Sequence, residues 1–314
     1  MTNIPLVSVC MITYNHESFI AEAIEGVLMQ QTNFPIELII GEDCSTDNTR
    51  KVVREYEEKY SDTIIAHYPE TNRGMSDNFI TTMKSSRGRY IALCEGDDYW
   101  TDPLKLQKQI DFLETNMEYS TCCHFYSLLR NDVVEKREYP LFFKSKHVSL
   151  FDSVKYYSFD RNDNLNYFVT QPLTAVFRRD IIDQIPFDKY ALFRDIHLFY
   201  HLLSHGKGAL LCLYSGVYRK HSGGIFSATE TNLMYYRNLL WSVYRDLYKC
   251  NINDIMLKRK TASYELLYNV CKCDFVHLLI AEYKYIVNVG ITIYSIKIVV
   301  TSILEYIKKR FTYI

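Results

Sequence analysis

The chain has 314 residues, enough for one large domain with an appendage or for two modest domains. Hydrophobic residues make up 48% and charged residues 23%, a globular balance that excludes a disordered or fibrous chain. The 36 Lys and Arg nearly cancel the 37 Asp and Glu, so no net field draws the protein to nucleic acid, and no nucleic-acid partner is expected.

Taken in chain order, Val7–Ile12 is an apolar, β-branched run and reads as a strand, and His16 to about Gln30 reads as a helix. Glu37–Ile40 is the next strand, followed by a helix from about Asp47 to Tyr60. Ile64–Tyr68 is a third strand, with a helix near Asp77–Lys84 after it, and Tyr90–Cys94 is a fourth. Strands at this spacing with helical crossovers predict an α/β fold, a mixed and mainly parallel sheet with helices on both faces. Further along, Tyr119–Leu129, Thr174–Phe177 and Ala209–Tyr218 read as strands, and Asp102–Asn116, Leu150–Tyr157 and Asp195–Ser204 as helices. From about Thr229 a long helical tail follows. The nine cysteines show no zinc spacing. No secretory leader precedes the apolar strand at Leu6, so a cytoplasmic setting with reduced thiols is expected. The 27 tyrosines supply flat amphipathic surface for stacking on bases and sugars, or reflect coding bias alone.

Open sheets of this kind bind ligands beyond the carboxyl ends of their strands. The first strand ends in Thr13-Tyr14-Asn15-His16-Glu17, the second in Gly41-Glu42-Asp43-Cys44-Ser45-Thr46-Asp47, and the fourth in Glu95-Gly96-Asp97-Asp98. Acidic groups gathered on one rim are costly unless something positive or hydrogen-bonding is held there. Adjacent carboxylates at Asp97 and Asp98 suit Mg²⁺ or Mn²⁺ shared with a diphosphate, or else form a solvated turn capping the helix before Pro103. Helix capping accounts for Ser45, Thr46 and Asp47 but not for Glu42 and Asp43. A carboxylate there could accept the N–H of a uracil or thymine ring, with Tyr14 stacking nearby.

The segments Val7–Asn15, Glu42–Asp47, Asn72-Arg73-Gly74 with Asn78, and Glu95–Asp98 together resemble the family 2 glycosyltransferases in order, spacing and strand context, over roughly residues 4 to 225. The resemblance implies a GT-A fold, a nucleotide-sugar donor, a divalent cation and inversion at the anomeric carbon. It places Thr13, Tyr14 and Asp43 at the base and ribose, and Asn15, Glu42, Asn72, Gly74, Asn78, Glu95 and Asp97 around the nucleotide sugar. Asp97 and Asp98 match the metal-binding motif, with Asp98 as the expected direct ligand. Glu95 stands where that motif commonly has aspartate.

In the second half, Phe193-Arg194-Asp195 followed by an apolar helix resembles the family's acid-containing helix start. There Asp195 would be the general base, or an N-cap, or both. His197, two residues into the helix, reads as a structural histidine. Tyr218-Arg219-Lys220-His221 resembles the closing motif. It offers His221 as a metal ligand and Arg219 and Lys220 for phosphate, or forms a surface turn. Gln171 and Thr174 are expected on the acceptor side.

These readings divide the chain into a catalytic domain at 1–225, with a nucleotide half to about 100 and an acceptor half from 101, and a helical tail at 226–314. Residues 255–314 carry nine Lys/Arg and four Asp/Glu, a net +5. Ile286–Leu304, interrupted by polar residues, and Lys308-Lys309-Arg310 suit peripheral contact with the inner face of the plasma membrane, or a bundle packed on the domain. The expected reaction moves a sugar, from UDP or dTDP, to a saccharide or lipid-linked saccharide hydroxyl in bacterial surface polysaccharide synthesis. The rivals are a non-catalytic sugar-nucleotide or membrane-binding scaffold and a sugar-nucleotide nucleotidyltransferase, which would need a Gly-rich basic loop after the first strand. A dehydrogenase or P-loop enzyme lacks its motif here.

Overall fold

A computed structural model describes residues 4–221, 223–224 and 233–272, and short stretches at 282–283, 285–287, 299–300 and 302–304. Two compact units emerge, one formed by residues 1–187 and 193–220, the other by 188–192 and 221–314.

The first unit is built on an eleven-stranded sheet. It begins with β1 (Val7–Thr13), β2 (Ile36–Glu42), β3 (Ile64–His67) and β4 (Tyr90–Leu93), set in the order β3-β2-β1-β4 and all parallel. The near-continuous burial of β1, β2 and β4 explains their mainly apolar sequences, because helices cover both faces. The crossovers are α1 (Ile20–Leu28), α2 (Thr49–Lys59) and α3 (Met75–Lys84). On α1, Ile20, Ala23, Ile24 and Val27 recur at helical spacing and are all buried. Gly26 lets that helix approach the Trp100 backbone, where a Cβ would lie 2.9 Å from the Trp100 nitrogen.

Parallel pairing puts the carboxyl ends of β1, β2 and β4 on one rim. Thr13 lies opposite Glu42, and Cys10 lies opposite Leu93 just before the acidic segment. The rest of the sheet contains β5 (Tyr99–Trp100), β6 (Tyr119–Arg130), β7 (Val133–Lys136), β8 (Val148–Phe151), β9 (Val154–Phe159), β10 (Val176–Arg178) and β11 (Lys207–Arg219). The order continues β4-β10-β6-β11-β9-β8, with β10 antiparallel to both neighbours and β11 parallel to β6. Short β5 pairs with β11 through Tyr99–Val217 and Trp100–Gly216, which fastens the acidic segment to the end of β11. The remaining helices of this unit are α4 (Lys105–Thr115), α5 (Pro140–Phe143), α6 (Arg161–Tyr167) and α7 (Asp195–Leu202).

One element differs from the sequence expectation. Leu150–Tyr157 is not a helix but part of the β8–β9 hairpin. Asp152 and Ser153 both take positive φ, 41° and 66°, the paired left-handed residues of a two-residue hairpin turn. The following Val154-Lys155-Tyr156-Tyr157 is rich in strand formers. Ahead of β10, Pro172–Thr174 forms a 3-10 turn where a strand start was expected. The second unit contains α8 (Leu233–Cys250) and α9 (Ile255–Lys272), an antiparallel pair in which Tyr244 stacks on Tyr264 and Trp241 on Tyr268. The basic segment Lys308–Arg310 and most of Ile286–Leu304 lie outside the described residues. Among those described, no helix is long and apolar enough to cross a membrane.

Candidate active site

The nucleotide side of the rim is a set of loops locked by side chains. Asn15 takes a left-handed φ of 57°, donates its amide to Ser45 Oγ at 3.0 Å and accepts the Thr46 amide at 2.8 Å. Glu42 is fully buried, accepting the Ser45 amide at 2.7 Å and pairing with Arg50. Asp43 is buried too. Its two carboxylate oxygens accept the amides of Arg73 and Gly74 at 2.8 and 2.9 Å, while Asn72 donates to its carbonyl. Gly74 needs to be glycine because its φ is +82° with extended ψ, a conformation that L side chains rarely adopt. Asn78 is buried and donates to the Gly41 carbonyl at 2.8 Å. Thr13 is buried against Gly96 and hydrogen-bonds His16 Nδ1 at 3.2 Å. Tyr14 is the member of this group that presents a ring to solvent, at 42% exposure.

The acidic segment after β4 closes on itself through the Asp98 amide, which donates to the Glu95 carbonyl. One carboxylate oxygen each from Glu95, Asp97 and Asp98 lies within 4.8 Å of the others. Asp98 is fully buried. Its Oδ1 accepts the Arg219 amide at 2.8 Å, and its Oδ2 is buried with no hydrogen-bond partner. Burial, together with the charges of Asp97 and Glu95, pushes the Asp98 carboxyl well up. Glu95 is raised to about 8 by burial and by Asp97 and Asp195, against a lowering influence from Arg194. Three converging carboxylates and an orphaned buried oxygen fit a divalent cation, whose charge would relieve both the crowding and the unmet lone pairs. Glu95 and Asp97 are both half-buried, and the Asp97 Oδ2 lies 3.8 Å from His16 Nε2.

Asp195 opens α7, and Arg194 takes the N-cap position. Burial raises the Asp195 carboxyl, and its charge registers on both Glu95 and Tyr218, which places it at the same rim. His197 is a buried structural residue, as its position in the apolar helix implied. It stacks on Phe193, and its Nδ1 accepts the Arg194 amide at 3.0 Å.

Arg219 is turned into the protein. Its guanidinium donates to the Asp97 carbonyl at 2.6 Å, pairs with Glu22, and lies over the rings of Phe19 and Tyr99. This arginine therefore holds the acidic segment in place. Lys220 donates its amide to the Leu129 carbonyl and is half-buried. His221 is the next residue along and falls in the second unit. Thr174 is buried, its hydroxyl closing on the Gln171 carbonyl at 2.8 Å, while Gln171 is half-buried.

The structure adds His16, Glu22, Arg194 and Tyr218 to the residues given a role from sequence. His16 could have been found from its place in the loop after β1. Glu22 could not, because its partner Arg219 is 197 positions away.

Comparison with known proteins bears on this rim. A model of Glycosyl transferase family 2 matches residues 8–186. TuaG of Bacillus subtilis, provisionally named a teichuronic acid biosynthesis glycosyltransferase, is 32% identical over 250 residues, covering 77% of this chain and 88% of that protein. An uncharacterised protein of Mycobacterium tuberculosis is 34% identical over 225 residues, 72% of this chain, and the chain spans only 62% of that protein's length. WfaP of Escherichia coli, a UDP-Glc:α-D-GlcNAc-diphosphoundecaprenol β-1,3-glucosyltransferase by name, is 27% identical over 76% of this chain and 86% of its own. Among solved structures, Staphylococcus aureus TarS in complex with UDP-GlcNAc superposes with a TM-score of 0.60 at 18% identity, covering 90% of this chain and 81% of that one. A mannosyltransferase of Pyrobaculum calidifontis with GDP-Man and Mn²⁺ gives 0.55 at 14% identity, covering 96% and 80%. Both share the fold.

Proposed function

The chain belongs to glycosyl transferase family 2, and from that premise we propose that it is a metal-dependent, inverting glycosyltransferase of bacterial surface polysaccharide synthesis. Its donor is a UDP- or dTDP-sugar, and its acceptor a hydroxyl of a saccharide or lipid-linked saccharide. The observation that carries this reading is the convergence of Glu95, Asp97 and Asp98 beside Asp195, with the Asp98 Oδ2 buried and unpartnered.

In this reading Asp97 and Asp98, with the Glu95 carboxylate beside them, would hold Mn²⁺ or Mg²⁺. The cation supplies Lewis-acid stabilisation of the departing nucleoside diphosphate. Tyr14 stacks on the base. Asp43 keeps the 72–74 turn in place and retains lone pairs for a ring N–H. Asp195 takes the proton from the acceptor hydroxyl as it attacks the anomeric carbon opposite the leaving group, and its raised pKa suits a general base. Arg219 positions the acidic segment by holding the Asp97 carbonyl and offering its own amide to Asp98. The names of WfaP and TuaG support a polysaccharide role and, for WfaP, a lipid-linked acceptor. Such an acceptor would place the enzyme on the cytoplasmic side of the plasma membrane.

Calorimetric titration of UDP and dTDP with and without Mn²⁺ tests the donor site. Metal-dependent binding that Asp97→Ala abolishes is the expected result. A folded protein that binds no nucleoside diphosphate would remove the reading in favour of a non-catalytic scaffold.

A further inference from the structure

Arg219 and Arg194 both stand near the acidic segment, and they differ in how their donors are used. Arg219 spends its guanidinium on the Asp97 carbonyl, Glu22 and two aromatic faces. Arg194 does not. Among the described residues its one side-chain hydrogen bond runs from NH1 to the sulfur of Met75 at 3.5 Å, a weak acceptor. Its Nε is buried without a partner. A guanidinium carries five N–H donors in a planar fork, and leaving them unmatched in a half-buried position costs stability unless a ligand supplies the acceptors.

The backbone fixes where that fork stands. The Phe193 amide donates to Ser76 Oγ at 2.9 Å, which docks the loop on the first turn of α3. The Arg194 amide is held by His197 Nδ1 at 3.0 Å. The residue is therefore clamped from both sides, next to the proposed base Asp195 and within electrostatic reach of Glu95. The sulfur that Arg194 NH1 meets belongs to Met75, the first residue of the ten-residue helix α3.

We propose that Arg194 is the anion-recognising residue of the site, binding a pair of anionic ligand oxygens beside Asp195. This rests on the transferase reading above. The same chemistry has two sources, the diphosphate of the donor or a carboxylate on a uronate sugar. Arginine is suited to either because its fork matches both geometries bidentately.

The test is titration of UDP, UDP-glucose and UDP-glucuronate, with Mn²⁺, into the full chain as wild type, Arg194→Gln and Arg194→Lys, with thermal unfolding recorded for each. Loss of a charge-assisted hydrogen bond weakens binding by about tenfold or more. If Arg194→Gln weakens all three ligands alike, the anion is the diphosphate. If it weakens UDP-glucuronate alone, the anion is a sugar carboxylate. Arg194→Lys keeps the charge but not the fork, and is expected to lose about threefold in the same pattern. This variant carries the test should the glutamine variant fail to fold. Affinities within twofold of wild type for all three ligands, in a folded variant, would overturn the proposal. Failure of the wild type itself to bind UDP would remove the transferase reading, and this inference with it.

Discussion

Replacing Asp98 by asparagine separates what the acidic segment does for ligand from what it does to the fold. Asp98 Oδ2 is buried and without a hydrogen-bond partner, and its carboxyl is crowded by Asp97 and Glu95 oxygens within 4.8 Å. At an effective dielectric of about 20, two unit charges at that separation repel by about 3.5 kcal/mol. Burial and this crowding both push the Asp98 and Glu95 carboxyls up. Asparagine has the shape of the protonated acid, can keep the Arg219 amide on its oxygen, and turns an N–H donor toward the remaining carboxylates. Asp98→Asn is expected to stabilise the metal-free protein by about 2 kcal/mol, raising Tm by about 4–8 °C. Mn²⁺ at a hundred times its Kd stabilises a binding protein by about 2.7 kcal/mol, and the variant should gain little of this. Thermal unfolding in chelator and in Mn²⁺ should therefore show the order of the two proteins reversing. A variant that melts below wild type in chelator, or that shifts with Mn²⁺ as wild type does, would refute the reasoning.

Three other outcomes are expected. Asp195→Asn should cut transfer by about a hundredfold to ten-thousandfold while leaving the UDP Kd within about twofold, measured by product formation and titration; retained turnover would remove Asp195 as the base. Lys105 is buried with its Nζ unpartnered, 3.8 Å from the Trp100 ring centroid, and burial lowers its pKa to about 7. The unfolded chain holds that proton up to about pH 10.5, so wild-type stability should gain with pH above 7. Lys105→Met, more stable by about 1–2 kcal/mol at pH 7, should lose that advantage by pH 9 to 10, and a constant difference in denaturant titrations would contradict this. A Cβ at Gly41 would collide with the side chains of Asn78 and Thr82, so Gly41→Ala should cost about 1–3 kcal/mol. Adding Asn78→Ala should cost less than the sum of the two, by about 1 kcal/mol in a double-mutant cycle; strict additivity would mean that the two sites do not touch.

The parallel half of the fold was legible because β1, β2 and β4 are buried on both faces and their sequences are mainly apolar. Strand ends then identified the rim. The β8–β9 hairpin was not legible, since its turn uses Asp152-Ser153 in left-handed conformations rather than a glycine, and Leu150, Val154 and Tyr157 recur at helical spacing. Within the site, sequence reasoning located Glu42 and Asp43 but not their work. Both hold amides in loops, and for Asp43 those amides lie some 30 positions on. Arg219 was read as a phosphate ligand because sequence shows its charge and not its partners. Glu22 reaches it from α1, and the Asp97 carbonyl from a loop 122 positions away. Such long-range pairings leave no local pattern. Arg194 was visible only as the neighbour of an acid, and its unused donors became evident from the docking of its loop on α3.

The most direct test of the central claim is the anomalous difference map of crystals grown with Mn²⁺ and UDP. A manganese peak among the carboxylates of Glu95, Asp97 and Asp98 is the expected result. A map with UDP bound at the rim and no manganese at those carboxylates would contradict it.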